Sequence, residues 1–130
     1  MQDSVQKWVE ISEYDLTTAQ AMFESGRYLY VAFMCQQAVE KILKAIYTQK
    51  KKSIAPRTHS LLYLIDTLEL TVTDQQKLLL SELNQFYLEG RYPNEQTKLT
   101  VEVDTHKAGY YLEITREVWT CLKQMLLPVK

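Results

Sequence analysis

The sequence predicts an all-α fold, an up-and-down four-to-five-helix bundle forming one domain over residues 1–130. Three observations lead there. The stretch Tyr28 to Tyr47, YLYVAFMCQQAVEKILKAIY, is free of Gly and Pro and keeps its apolar residues at helical spacing. Other apolar stripes of the same period run between cap-forming residues and Gly or Pro stops. The one β-branched cluster, Val72 with its threonine neighbours, has no second strand to pair with. A chain of 130 residues removes roughly two thirds of its unfolded surface from water without needing a disulfide or a metal.

Taken in order, the first helix is expected from Asp3, whose carboxylate can accept first-turn N–H groups, with Gln6 placed as in a capping box. Trp8, Val9, Ile11, Ser12, Leu16, Ala19, Met22 and Phe23 form its apolar stripe, its acids face water, and Gly26 stops it. The tight link at Gly26 makes the first two helices an antiparallel hairpin. In the second helix Tyr28, Val31, Ala32, Cys35, Ala38, Val39, Ile42 and Ile46 share one face. Opposite them Gln36, Gln37, Glu40, Lys41 and Lys44 read as a solvated strip, with Glu40 and Lys44 an i,i+4 pair.

The segment KKSIAPRT loses the helical period and reads as a loop. Thr58 or Ser60 then caps a short third helix with Leu61, Leu62, Leu64, Ile65 and Leu68 on its apolar face. Thr73 and Gln76 form the capping box of a fourth helix running to Gly90. From Arg91 to about Val103 no helical pattern is visible, and Tyr92 before Pro93 is pushed towards extended backbone. Asp104 caps the last helix, whose stripe of Ala108, Tyr111, Leu112, Thr115, Val118, Trp119, Leu122 and Leu126 ends at Pro128.

Several function classes fall away on composition. The formal net charge of -1 gives no global case for nucleic acid or an anionic membrane. Charge is uneven, however: the first 26 residues are acidic, and residues 41–57 hold Lys41, Lys44, Lys50, Lys51, Lys52 and Arg57 with no acid. Cys35 and Cys121 both lie in apolar helical patterns and are expected to be buried, reduced thiols. No signal sequence or membrane-length apolar run is present, which places the protein in the cytoplasm.

Few residues suggest chemistry. Arg91 beside Tyr92 at a helix end could grip a phosphate while the ring stacks on a base. Alternatively, Arg91 bonds the last carbonyls of helix four and Tyr92 plugs the bundle end. His59 fits a general base or phosphate donor, or else a cap or packing element. His106 and the Lys50–Lys52 run with Arg57 read as solvated. Most of the nine tyrosines are expected in the core, with Tyr87, Tyr92, Tyr110 and Tyr111 near one another if the last two helices pack antiparallel. No metal-ligand spacing, nucleophile setting or Gly-rich phosphate loop appears, so no cofactor is expected.

Together, QQAVEKILKA at 36–45, the step Thr58, His59, Leu61, and RYP at 91–93 resemble the HEPN domain family, the higher eukaryote and prokaryote nucleotide-binding domains. Trp8, Ala19 and Gly26-Arg27-Tyr28 fit its stand-alone prokaryotic members. The resemblance implies a helical bundle that commonly forms a homodimer, often beside a minimal nucleotidyltransferase in a toxin–antitoxin-like pair. Many members are metal-independent ribonucleases that use an arginine and a histidine four to six residues apart. Arg91 matches the arginine, but Gln96, Thr97 and Lys98 occupy the histidine positions. An arginine alone can steady phosphate charge but cannot move the proton.

The expectation is therefore a non-catalytic module binding a nucleotide, RNA or a protein partner through Arg91, Tyr92 and His59. The resemblance also offers a second reading of the polar strip, bordering the groove that receives Arg91, with Lys41 or Lys44 supplying charge to a phosphate. The alternatives are a ribonuclease or toxin with a degenerate or relocated site, and a scaffold with no ligand.

Overall fold

The computed structural model describes residues 2–127, apart from the side chain of Gln2. Six helices make up its regular structure: α1 (Gln2–Glu24), α2 (Tyr28–Lys51), α3 (Leu61–Thr67), α4 (Asp74–Asn84), α5 (Pro93–Glu102) and α6 (Thr105–Gln124). No strand occurs among the described residues. The expected end of the last helix at Pro128 lies outside them, and α6 itself finishes at Gln124.

Helix α2 is the axis of the bundle and touches every other helix. Val31, Ala32, Cys35, Ala38, Val39, Ile42 and Leu43 are fully buried along it. That burial removes their apolar surface from water at about 25 cal/mol per Å². The α1–α2 hairpin closes as its sequence suggests. Arg27 N donates to Met22 O at 2.8 Å and Gly26 N to Phe23 O at 3.2 Å. This is the Schellman arrangement, and it requires the left-handed backbone that Gly26 adopts at φ 75.

Local cap signals located the starts of α3, α4 and α6. Ser60 Oγ, rather than Thr58, accepts from Tyr63 N at the head of α3. Thr73 and Gln76 form the reciprocal capping box of α4, and Asp104 caps α6 through Lys107 N. Two boundaries differ: α1 begins at Gln2, so Asp3 lies inside its first turn, and α4 stops at Asn84 rather than at Gly90.

A larger correction concerns Arg91–Val103, expected as a connection without helix; Tyr92 is extended as expected, at φ -76 and ψ 155. Residues Pro93–Glu102 form α5, with Pro at the start and Glu95 in the first turn. Pro93 needs no N–H partner there, and Glu95 Oε1 accepts from Tyr92 N at 3.5 Å. Leu99 is the helix's one buried residue, so a period search has nothing to register.

Burial also corrects several readings of polar residues. Gln36, Glu40 and Lys44 are buried rather than solvated. Among the acids of α1, Asp15 is buried and pairs with Lys41 at 2.5 Å. Cys121 is exposed, whereas Cys35 is buried and its burial pushes the thiol up to about 12. Of the tyrosines, Tyr111 alone is buried, while Tyr14, Tyr30, Tyr63 and Tyr92 are exposed.

Candidate functional site

An open cleft of about 500 Å³ lies where the α3 entry meets the α4–α5 connection. His59, Asn84, Tyr87, Glu89, Arg91 and Glu95 contribute to its walls. Asn84 Oδ1 accepts from Leu61 N at 2.9 Å, tying the start of α3 to the end of α4. The loop carrying His59 is thereby held against α2, where Gln36 Nε2 donates to His59 O at 3.0 Å.

Beneath the cleft is a polar network built on Glu40. Its Oε1 stands 3.0 Å from His59 Nδ1 and accepts from Gln36 Nε2 at 3.1 Å. Its Oε2 accepts from Lys44 Nζ at 3.1 Å. A carboxylate so placed offers only acceptor oxygens, so His59 Nδ1 carries the hydrogen. The Glu40 side chain is 4% exposed and that of His59 48%. Lys44 is sandwiched further, its Nζ lying 5.6 Å from the Trp8 ring centroid.

The His59 ring stacks on Tyr87, with centroids 3.8 Å apart and planes at 14°. Tyr87 in turn donates its hydroxyl hydrogen to Glu89 at 2.6 Å. Burial, that hydrogen bond and the charges of Glu89 and Glu40 push the Tyr87 phenol up to about 12.

Arg91 is turned largely onto its own chain. Nε donates to Tyr87 O at 3.3 Å, Nη2 to Gln85 O at 2.9 Å and Nη1 to Glu95 Oε2 at 3.2 Å. Gln85 is the C-cap of α4 and Tyr87 lies beyond it, so Arg91 meets the helix end through Gln85 O alone and otherwise braces the α4–α5 connection. Tyr92 does not plug the bundle end, being 74% exposed.

Of the five residues singled out, the structure brings His59 and Arg91 to one cleft. Lys41 and Lys44 do not line it: the first is held by Asp15 on α1 and the second by Glu40 below His59. The strip therefore supplies Glu40 and Gln36 as supports behind His59 rather than lysine charge to the cleft. Glu40, Tyr87 and Glu89 were not anticipated as neighbours of His59. Nothing local marks them, because the contacts span the sequence from α2 to the α4–α5 connection.

A helical domain with a polar cleft at the end of its short helices is the class these features define. No curated protein sequence matches the chain significantly. The HEPN domain profile matches residues 5–125, and the chain belongs to the HEPN domain family. Two crystal structures share the fold. TT1696 from Thermus thermophilus is 22% identical with a TM-score of 0.77, the match covering 94% of this chain and 98% of that one. ST0689, described as an archaeal HEPN homologue, is 21% identical with a TM-score of 0.69, covering 92% and 95% respectively.

Proposed function

We propose that the chain is a non-catalytic, cytoplasmic HEPN module that works by binding. In this reading it forms a homodimer and engages a minimal nucleotidyltransferase, in a toxin–antitoxin-like pair, or a nucleotide through the face around Arg91. One observation carries the non-catalytic half: the guanidinium bonds Gln85 O, Tyr87 O and Glu95, while Gln96, Thr97 and Lys98 stand where a proton-moving histidine is needed. Light scattering of the purified chain, affinity capture from its own cell extract and calorimetry with nucleotides test the proposal together. A monomer that retains no nucleotidyltransferase and gives no heat overturns it.

A specific contact favours a second reading, a ribonuclease with a relocated site. His59, oriented by Glu40, lines the same cleft as Arg91, so a base and a phosphate-steadying group are both at hand. Mixed RNA incubated in chelator separates the readings. Cleavage by the wild type that Arg91→Ala abolishes selects the ribonuclease; intact RNA selects the binding module.

A further inference from the structure

We infer that His59 Nε2 is a phosphoryl-accepting nitrogen, a modification site built by Glu40 and Tyr87. A histidine becomes a nucleophile when one ring nitrogen is fixed as the donor and the other keeps its lone pair facing solvent. Both conditions are met. Glu40 holds the hydrogen on Nδ1 at 3.0 Å, and Glu40 is itself fixed by Lys44 and Gln36. Nε2 makes no hydrogen bond among the described residues, and the side chain is 48% exposed in an open cleft.

Tyr87 adds the third element. Its ring stacked at 3.8 Å prevents the imidazole from swinging out of the plane that Glu40 selects. The second hydrogens of Arg91 Nη1 and Nη2 remain over from its bonds to Glu95 and Gln85, and they suit the oxygens of an incoming phosphoryl group. His106, by contrast, is exposed in the first turn of α6 with no side-chain hydrogen bond among the described residues. It serves as an internal control.

The donor is an acyl phosphate or a phosphoramidate. With acetyl phosphate, the Nε2 lone pair attacks phosphorus, a P–N bond forms, and the P–O bond to the acyl group breaks with its electron pair leaving on acetate. The Nδ1 proton stays in the hydrogen bond to Glu40, whose carboxylate offsets the positive charge that develops on the ring. The free chain suffices for this step, without a dimer, nucleotide or partner, so its failure and the failure of the binding reading are distinguishable.

The experiment incubates the purified full chain with acetyl phosphate and follows acid-labile phosphate by ³¹P NMR and peptide mass spectrometry. Phosphate is expected on His59 at least about tenfold faster than on His106, as an oriented nucleophile requires. Equal rates, preference for His106 or no phosphohistidine overturn the inference. Glu40→Gln, checked for folding by circular dichroism, is expected to slow labelling about tenfold, because a carboxamide can donate to Nδ1 and move the hydrogen to Nε2. An undiminished rate in the folded variant excludes the role given to Glu40. Independently of any substitution, long-range ¹H–¹⁵N spectra of the wild type are expected to show His59 with Nδ1 protonated; the opposite tautomer overturns the inference.

Discussion

Trp119 donates its indole N–H to Ser12 Oγ at 2.7 Å, in the interior between α6 and α1. Ser12 passes its own hydrogen to Ala38 O on α2 at 2.5 Å, so a single hydroxyl joins three helices. Most buried polar groups in folded proteins are paired in this way.

Ser12→Ala is therefore expected to cost about 2 kcal/mol, most of it from an indole N–H left buried without an acceptor. Trp119→Phe added to Ser12→Ala removes the orphaned donor, so the double variant should lose less than the sum of the single changes. Urea unfolding of the four proteins measures this. Strict additivity would mean that the two side chains do not act as a pair.

The buried pair beneath His59 calls for a different expectation. Lys44 and Glu40 are 7% and 4% exposed, and removing one partner of such a pair leaves a charge without compensation. Lys44→Met should lower stability by about 3 kcal/mol, because Glu40 is then left with Gln36 and His59 alone. Lys41→Ala, at the more accessible Asp15 pair, should cost clearly less. Denaturant midpoints compare the two, and a Lys44 variant as stable as the wild type would show that the pair contributes nothing.

These two sites also mark what the sequence could reveal. Ser12 fell on the apolar stripe of α1, and its place in the interior followed from period alone. Glu40 and Lys44 fell on a polar stripe, and the same rule assigned them to water. Glu40 meets the His59 loop, held by Gln36 and Asn84 across 23 residues in each case, and Lys44 lies by the Trp8 ring; the period of α2 encodes neither contact. Helix α5 escaped for a related reason: one buried leucine gives no stripe. Its local start signals, Pro93 and Glu95, were present but outweighed by the absence of a period. His59 and Arg91 could be singled out by residue type, whereas their shared cleft depends on long-range packing.

Tyr87 carries a pH dependence whose sign is fixed. Its phenol is raised from an ordinary 10.0 to about 12 in the folded protein, so above pH 10 the folded state holds a proton that the unfolded chain releases. The stabilisation linked to it is complete below that point and is lost as pH rises from 10 towards 12. Burial raises Tyr111 as well, so absorbance titration of tyrosinate should show two late-ionising rings, and Tyr87→Phe should remove one of them. Glu89→Gln should bring the Tyr87 ring part of the way down, since burial and Glu40 still act on it. Ionisation of Tyr87 at the ordinary 10.0 would contradict the geometry.

Arg91 decides between an inward and an outward role, and two substitutions separate them. If its bonds to Gln85 O and Tyr87 O anchor the α4–α5 connection, Arg91→Ala should cost about 1 kcal/mol and speed amide exchange around Leu88 and Arg91. The ion pair with Glu95 is 34% and 43% exposed and is screened by water. Glu95→Gln should therefore cost less than about 0.5 kcal/mol and leave that exchange nearly unchanged. Arg91→Lys should resemble Arg91→Ala in stability, because one ammonium cannot reproduce donors directed at two carbonyls and a carboxylate. The opposite pattern, with folding and exchange indifferent to Arg91→Ala and partner or nucleotide binding lost, would mean that the guanidinium acts on what enters the cleft rather than on the loop that carries it.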